Sequence, residues 1–312
     1  MKGPLFYSKI LLFGEYGIIK DSKGLSIPYN FYNGALKVTE NPSAEALKSN
    51  QSLVKFANYL EELHQTQPNL VTFNIELLHS DLARGMFFDS SIPQGYGVGS
   101  SGALVAAIYD KYAYEKITVL ENLTREKLLQ LKTIFAQMES FFHGKSSGLD
   151  PLNSYLSIPI LINSKDNIEA TGIPSQSTEG KGAVFLIDSG IVGETAPMVN
   201  IFMENLKDQG FRTMLKNQFV KYTDLCVENF LGGDKKSLFS NTKKLSAVVL
   251  NNFKPMIPEE FHGVWQKGID TNDYYLKLCG SGGGGYILGF TEDLEKAKKS
   301  LKEYTLEVVY QF

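Results

Sequence analysis

The chain has 312 residues, of which 43% are hydrophobic and 21% are charged, and its net charge is -3 at pH 7. This composition is that of a globular protein with one large core or two ordinary ones, and it argues against disorder. It also excludes a basic surface for nucleic acid or an anionic membrane, so an anionic substrate would need local positive charge, helix termini or a metal ion.

The first half of the chain begins with strand patterns. The apolar run Lys9–Phe13 predicts a strand that ends at a glycine, and Ala35–Val38 and the alternating segment Val71–Leu78 predict two more. A polar segment between the last two, about Ala44–His64, predicts a helix. We therefore expect a sheet with at least one covering helix in this half.

A loop rich in glycine and serine follows, from Pro93 to Ala103, and we call it the phosphate loop. An apolar segment from about Ser101 predicts a buried helix directly after it. The next helix is predicted from Thr124, a suitable N-cap, to Phe142, and it stops at His143-Gly144.

A polar, glycine-containing segment, Ser175–Gly182, predicts a domain boundary near residue 180. Beyond it the pattern is strand, helices, strand, glycine loop, strand, helix, strand, which is typical of a ferredoxin-like domain. The predicted strands are Ala183–Asp188, Tyr274–Leu278, Tyr286–Phe290 and Leu306–Tyr310, and the last helix is Leu294–Tyr304 with Thr291 as its N-cap.

The number of cysteines and the lack of long apolar segments indicate the cellular compartment in which we expect the protein. Cys226 and Cys279 are too few and too far apart for a disulfide framework or a zinc site, and predict two reduced, buried thiols. No stretch approaches the roughly 20 apolar residues that span a bilayer, and the N-terminus has no cleavage site of a signal peptide. We therefore expect a cytoplasmic protein with no nucleic-acid or membrane partner.

The phosphate loop contains four glycines, Gly95, Gly97, Gly99 and Gly102, which let backbone N–H groups approach phosphate oxygens. The helix that follows adds free N–H groups and the positive end of its dipole. Three other nucleotide motifs fit poorly. No apolar strand precedes the G-x-G-x-x-G match as a dinucleotide fold requires, the protein-kinase motifs H-R-D and D-F-G are missing, and the first glycine of a Walker loop falls on Glu139. A purely structural strand-to-helix turn is the less favoured interpretation.

Three segments in order resemble the motifs of the GHMP kinases, a family that includes galactokinase, homoserine kinase, mevalonate kinase and phosphomevalonate kinase. They are Lys9–Gly17, the phosphate loop, and Lys277–Tyr286. The resemblance implies an α+β fold of two domains. The N-terminal ATP-binding domain, residues 1–180, would be like ribosomal protein S5 domain 2, and residues 181–312 would form the ferredoxin-like domain.

Within the family the segment Glu139–Asp150 is most similar to that of mevalonate kinases. The resemblance implies that Asp150 is the catalytic residue with Lys9 as its partner, and that Ser101 and Glu139 bind Mg²⁺. It implies ATP contacts at Ser90, Gly95, Tyr96, Gly97, Val98, Gly99, Ser100 and Ser101. It implies roles toward the substrate or its phosphate for Glu15, Tyr16, Thr195, Gly280, Ser281, Gly282 and Gly283.

The activity so implied is transfer of the ATP γ-phosphate to the 5-hydroxyl of mevalonate, by a monomer or a homodimer. Tyr16 departs from the histidine usual in mevalonate kinases, and the pair Glu15-Tyr16 is more similar to phosphomevalonate kinase. That alternative would need extra cations for the substrate phosphate, for which Arg84 and Lys145 are candidates. A metabolite-sensing protein without catalysis is disfavoured, because the chain keeps the aspartate, the metal-binding glutamate and the phosphate loop.

Overall fold

The structure, a computed structural model, describes residues 4–118, 122–177 and 179–312. The first group of elements in chain order is β1 (Phe6–Phe13), β2 (Gly24–Val38), α1 (Ala44–Thr66), α2 (Ile75–Ala83), β3 (Met86–Ser90), α3 (Ser100–Tyr112), α4 (Arg125–His143), α5 (Leu149–Leu156), β4 (Ile160–Ser164) and β5 (Asn167–Ala170). The second group is β6 (Ala183–Asp188), α6 (Thr195–Asn205), α7 (Gln209–Met214), α8 (Lys221–Leu231), α9 (Lys235–Asn252), α10 (Glu260–Thr271), β7 (Tyr275–Leu278), β8 (Tyr286–Thr291), α11 (Leu294–Ser300) and β9 (Leu306–Gln311).

Contacts between residues divide the described chain into two compact units. Unit 1 contains residues 4–9, Pro28–Pro93 and Gly99–Ile158, and unit 2 contains Ile10–Ile27, Gln94–Val98 and Pro159–Phe312. Both units are assembled from separate stretches of chain. The sequence-based division at residue 180 stays a prediction.

Unit 1 has a helical core beside a strand pair. Residues 34–38 of β2 pair antiparallel with β3, and α3 packs against α4 and α5. Helix α3 is buried on nearly every face, as its alanine-rich and β-branched sequence predicts. Helix α4 starts after Thr124, whose side chain accepts a hydrogen bond from the N–H of Lys127, and it ends before Gly144. Both helices are confirmed.

Unit 2 contains a four-stranded antiparallel sheet in the order β7-β8-β6-β9. With β6 first in the chain, this is the strand order of a ferredoxin-like domain, and the predicted pattern of the second half is confirmed. Strands β6 and β8 are buried along almost their whole length. A single turn of π-helix, Leu215–Val220, joins α7 to α8. Among the described residues, no helix has both the length and the apolar character needed to cross a membrane.

The prediction of a strand at Val71–Leu78 was wrong, because α2 begins inside this segment. Asn74 is the N-cap, and its side-chain oxygen accepts a hydrogen bond from the N–H of Leu77 at 3.0 Å. Leu78 and Leu82 are buried one helical turn apart. A capping side chain and a helical repeat that continues past residue 78 therefore outweighed the short alternation.

The last helix begins at Leu294 as predicted, but its predicted N-cap and end were wrong. Thr291 ends β8, and its hydroxyl donates to the carbonyl of Asp273 at 2.7 Å. Asp293 is the N-cap of α11, with its carboxylate accepting from the N–H groups of Glu295 and Lys296 at 3.1 Å. The helix ends at Ser300, short of Tyr304. The stronger acceptor, two residues further on, sets the helix start.

Candidate active site

Lys9 and Asp150 form an ion pair in unit 1. Lys9 projects from β1 and is only 4% exposed, and its Nζ lies 2.9 Å from Oδ1 of Asp150. Asp150 stands in the first turn of α5, where the helix dipole favours a negative charge. Its side chain is 38% exposed, so one face of the carboxylate remains accessible to a ligand. The structure thus brings the two residues into contact, while their catalytic roles stay a prediction.

The start of α3 lies directly against this pair. Gly99 is the N-cap of α3 and carries no side chain that could occupy the first N–H groups of the helix. A Cβ built on Gly102 would lie 2.7 Å from the carbonyl carbon of Asp150, so only glycine permits this approach of α3 to α5. The free helix start and the Lys9–Asp150 pair thus belong to one site within unit 1.

Ser101 and Glu139 meet beside the same helix start. The Ser101 hydroxyl donates to Oε1 of Glu139 at 2.9 Å, and the Ser146 hydroxyl donates to Oε2. Nε2 of His143 lies 3.0 Å from the Ser101 oxygen. Because the Ser101 proton is given to Glu139, this contact is a hydrogen bond only when Nε2 carries a proton. The two predicted metal ligands are therefore neighbours, held by two further side chains.

The electrostatics at Glu139 favour a bound cation. Burial, and then the negative charge of Asp150, raise the pKa of Glu139 to about 7, while the hydroxyls of Ser146 and Ser101 and the charge of Lys9 act in the opposite direction. A cation between the carboxylates would remove the repulsion. Within the described chain no cluster of three or more His, Cys, Asp and Glu side chains forms a ready metal site. One carboxylate and one hydroxyl suit Mg²⁺, which completes its shell with water and phosphate oxygens.

Residues Gln94–Val98 of the phosphate loop belong to unit 2, where they pack against the glycine run near the C-terminus. We call Gly280–Gly285 the C-terminal glycine loop. A Cβ on Gly97 would lie 2.5 Å from the carbonyl oxygen of Cys279, so the two loops touch through bare backbone. The N–H of Gly193 donates to the carbonyl of Gly95 at 3.0 Å. The ring of Tyr96 packs edge-on against Tyr286, with centroids 5.0 Å apart.

Unit 2 also brings Glu15, Tyr16 and Thr195 to the C-terminal glycine loop. Nζ of Lys277 donates to Oε1 of Glu15 at 2.6 Å, and both side chains are buried. The Tyr16 hydroxyl donates to the carbonyl of Ser281 at 2.6 Å. The hydroxyls of Ser281 and Thr195 lie 3.4 Å apart. Glu15, Tyr16 and Thr195, which were assigned to the substrate or its phosphate, therefore lie close to the C-terminal glycine loop. Their part in binding a ligand stays a prediction.

Ser90 has a local contact of its own. It is the last residue of β3, and its hydroxyl accepts a hydrogen bond from the N–H of Ile92 at 3.1 Å. The proposed contact of Ser90 with ATP stays a prediction. The two cations considered for a substrate phosphate have different surroundings. Nη1 of Arg84 lies 3.6 Å from Oδ1 of Asp81 at the end of α2, and Lys145 is exposed in the turn after α4.

Two parts of the site were missed in the sequence. Ser146 lies within the segment Glu139–Asp150 but was assigned no role, although a serine two residues before a glycine commonly accepts from that N–H, as Ser146 does from Gly148 at 3.0 Å. Lys277 carried a clearer signal. A lysine inside the apolar strand β7 is buried and requires a buried anion, yet the sequence does not say that Glu15 provides it.

Residues 51–157 match the family model described as GHMP kinases N terminal domain. No curated protein matches the chain. Among solved structures, L. major mevalonate kinase has a TM-score of 0.64 at 18% identity over 100% of this chain and 99% of that chain. Methanococcus jannaschii mevalonate kinase has a TM-score of 0.60 at 17% identity, over 99% and 98%. Streptococcus pneumoniae phosphomevalonate kinase has 0.61 at 13% identity, over 98% and 97%.

At these identities the structural likeness is one of fold, and it extends over nearly the whole of each chain. The family match covers residues 51–157, which include Ser101, Glu139 and Asp150. The resemblance inferred from the three motifs is thereby confirmed: the chain contains a GHMP kinase N-terminal domain, and it has the two-domain α+β fold that the mevalonate kinase and phosphomevalonate kinase structures share.

Proposed function

We propose that this chain is a mevalonate kinase, which transfers the γ-phosphate of ATP to the 5-hydroxyl of mevalonate and so acts in isoprenoid precursor biosynthesis in the cytoplasm. The observation that carries the proposal is the Lys9–Asp150 ion pair set against the start of α3, with Glu139 and Ser101 beside it. A phosphotransferase is the activity that the GHMP kinase fold implies. Mevalonate as acceptor is supported by the Glu139–Asp150 segment, and the L. major structure is described as a complex with R-mevalonate.

Asp150 is the group that receives the acceptor hydroxyl in this mechanism. Its accessible carboxylate oxygen accepts the hydroxyl hydrogen bond and orients the oxygen for attack on the γ-phosphorus. It takes up the proton as the new P–O bond forms, while the bond from the γ-phosphorus to the β,γ-bridging oxygen breaks and ADP leaves. Lys9 holds the other side of the carboxylate through its 2.9 Å contact and supplies a fixed positive charge where negative charge is transferred. Because Lys9 is buried, water screens this charge only weakly.

Glu139 and Ser101 would hold Mg²⁺, and the metal would supply charge neutralisation on the phosphate oxygens of ATP. Ser146 fixes the orientation of Glu139 through its hydrogen bond, and His143 does the same for Ser101 when its Nε2 carries a proton. The N–H groups at the start of α3 and the glycines of the phosphate loop would bind phosphate oxygens.

Phosphomevalonate kinase is the alternative acceptor specificity. It is favoured by the pair Glu15-Tyr16 and by the likeness in fold to the Streptococcus pneumoniae enzyme. A substrate that already carries a phosphate needs cations of its own beside the acceptor. Arg84 is engaged with Asp81, which counts against it, whereas Lys145 is exposed. Our preference for mevalonate over its phosphate therefore rests on the Glu139–Asp150 segment and not on these two cations.

A coupled assay of ADP release tests the proposal. The purified chain is given ATP and Mg²⁺ with mevalonate, phosphomevalonate, homoserine or galactose in separate reactions. We expect turnover with mevalonate and little with the other three. Turnover of phosphomevalonate alone would establish the alternative, and no turnover of any acceptor by a protein that binds ATP would favour the metabolite-sensing interpretation.

A further inference from the structure

We infer that Tyr16 is a positioning residue for the C-terminal glycine loop, and that its hydroxyl serves nucleotide binding rather than recognition of the acceptor. The inference rests on the proposed function, because it assumes that the phosphate loop binds ATP. It assigns Tyr16 an indirect role in place of the substrate contact considered from the sequence. Four observations in unit 2 carry it.

The hydroxyl of Tyr16 is already used. Tyr16 is 8% exposed, and its ring packs against Phe202 and Phe253, with centroid distances of 4.7 Å and 6.1 Å. Its only proton is donated to the carbonyl of Ser281 at 2.6 Å. Burial, and then the charge of Glu15, hold the pKa of Tyr16 well above its ordinary value, so the phenol stays a neutral donor.

The backbone of Tyr16 has a conformation that needs support. Its φ is 58°, a left-handed value that is rare for an aromatic residue and costs of order 1–3 kcal/mol. Such a conformation persists only where surrounding contacts determine it. Here the preceding residue, Glu15, is held by the buried Lys277, and Tyr16 is held at Ser281. Both contacts lead to one short stretch, the end of β7 and the C-terminal glycine loop.

That stretch is packed against the phosphate loop. Ser281 follows Gly280, and a Cβ on Gly280 would lie 3.0 Å from the Cα of Gly97. At the other end of the loop the contact is also backbone to backbone, since the N–H of Tyr286 donates to the carbonyl of Tyr96 at 3.4 Å. Where two loops touch through backbone alone, no side chain can adjust to a shift. A displacement of the Ser281 carbonyl is therefore passed on to Gly97. Tyr16 therefore acts on phosphate binding through the C-terminal glycine loop.

The C-terminal glycine loop gains little rigidity from its own sequence. Gly282, Gly283, Gly284 and Gly285 all have positive φ, a run that is ordered only at a high cost in conformational entropy. Hydrogen bonds from residues outside the loop must therefore hold it in place. One of them is donated by a single side-chain group, the Tyr16 hydroxyl. Another is the N–H of Gly283 donating to the carbonyl of Met256 at 2.7 Å. The hydroxyl can thus be removed without touching the loop itself.

The test compares Tyr16→Phe with Tyr310→Phe in the full chain. Tyr310 is the matched control, because it is buried in unit 2 and its hydroxyl also donates to a backbone carbonyl, that of Pro174 at 2.8 Å. Calorimetry measures the Kd of the ATP analogue AMPPNP with Mg²⁺, and hydrogen exchange measures protection of the amides at 279–285. For Tyr16→Phe we expect a Kd raised about 3- to 10-fold and faster exchange at 279–285. Tyr310→Phe should change neither.

Unchanged exchange at 279–285 together with an unchanged Kd in Tyr16→Phe would overturn the inference. So would a raised KM for the acceptor at an unchanged KM for ATP, because that result marks a substrate contact. If the unsubstituted protein did not bind the ATP analogue, the proposed function would fail on its own. The exchange measurement would then still decide whether Tyr16 positions the loop.

Discussion

At the scale of single residues, Asp150 experiences two charges of opposite sign. Lys9 attracts its carboxylate at 2.9 Å, while the Asp150 charge contributes to the raised pKa of Glu139. The carboxylate is thus held in place by one neighbour and is electrostatically unfavourable for the other. A cation at Glu139 would relieve this conflict, which is why the arrangement suits a metal-dependent phosphotransferase.

Replacing Asp150 by alanine is expected to abolish turnover, with a loss of at least about 1,000-fold in kcat, while ATP binding stays nearly intact. The reason is that Asp150 contacts the acceptor hydroxyl in the proposed mechanism, whereas the nucleotide depends on the phosphate loop and the start of α3. Steady-state kinetics and calorimetry with AMPPNP measure the two effects. Asp150→Asn keeps the shape of the side chain and serves as the control for folding. A wild-type rate in either variant would show that Asp150 has been given the wrong role.

Replacing Glu139 by glutamine is expected to stabilise the metal-free protein at pH 8 by about 1–3 kcal/mol. Because the pKa of Glu139 is raised to about 7, its contribution to stability is present below its unfolded pKa and is lost as the pH rises through 7. The amide can keep hydrogen bonds with Ser101 and Ser146. Melting temperatures with and without Mg²⁺, at pH 5.5 and pH 8, measure the effect.

The gain in melting temperature of Glu139→Gln should be larger at pH 8 than at pH 5.5. Mg²⁺ should raise the melting temperature of the unsubstituted protein more than that of the variant, since the amide is the weaker ligand. An equal gain at both pH values would contradict the raised pKa, and an equal response to Mg²⁺ would contradict Glu139 as a ligand.

At the scale of elements, sequence patterns predicted what local chemistry determines. Thr124 marks the start of α4 and the apolar sequence after Ser101 marks α3, because a cap or a continuous apolar surface acts within a few residues. Prediction failed where two local signals competed, as in the segment 71–78 that became the start of α2. Contacts between residues far apart in the sequence could not be predicted, because these patterns report only on residues that are close in the chain. Nothing near Ser146 in the sequence indicates that its hydroxyl reaches back to Glu139 on the preceding helix.

The close approach of α3 to α5 can be tested with one substitution at Gly102. The substitution should lower stability if the two helices are in contact there and raise it if they are not. In an ordinary helix, glycine to alanine stabilises by roughly 1 kcal/mol. At Gly102 the added methyl would lie 2.7 Å from the carbonyl carbon of Asp150, so α5 must move. We expect Gly102→Ala to lower the melting temperature by several degrees and to reduce kcat about 10-fold or more, through displacement of Asp150. A more stable variant with full activity would show that the two helices are not in this contact.

At the scale of the whole molecule, the order of motifs allowed the fold to be recognised, and the strand order of the sheet in unit 2 agrees with it. What the sequence pattern could not reveal is which distant stretches belong together. Residues Ile10–Ile27 and Gln94–Val98 group with Pro159–Phe312, although the composition suggested a division near residue 180. Glycine-rich and polar stretches indicate loops, and whether the loop near residue 180 is also a boundary between cores stays a prediction.

A fragment of residues 181–312 is therefore expected not to fold on its own. It would keep the sheet β7-β8-β6-β9 but lack Glu15, which leaves Lys277 without its buried partner at a cost of about 3–5 kcal/mol. It would also lack Gly97, and with it the packing against Cys279. Circular dichroism and thermal unfolding, beside the full chain as control, measure the result. A cooperative transition in the fragment would establish 181–312 as an independent domain.

The Glu15–Lys277 pair also has a consequence for biosynthesis. Its two members are 262 residues apart, and Glu15 is made first. At roughly 5–20 residues per second, a ribosome needs tens of seconds to reach the lysine, during which the glutamate has no buried partner. Glu15 can therefore reach its final environment only after residue 277 has been synthesised. Premature stop codons before residue 277 should yield chains that chaperones and proteases recognise, however much of the kinase they contain.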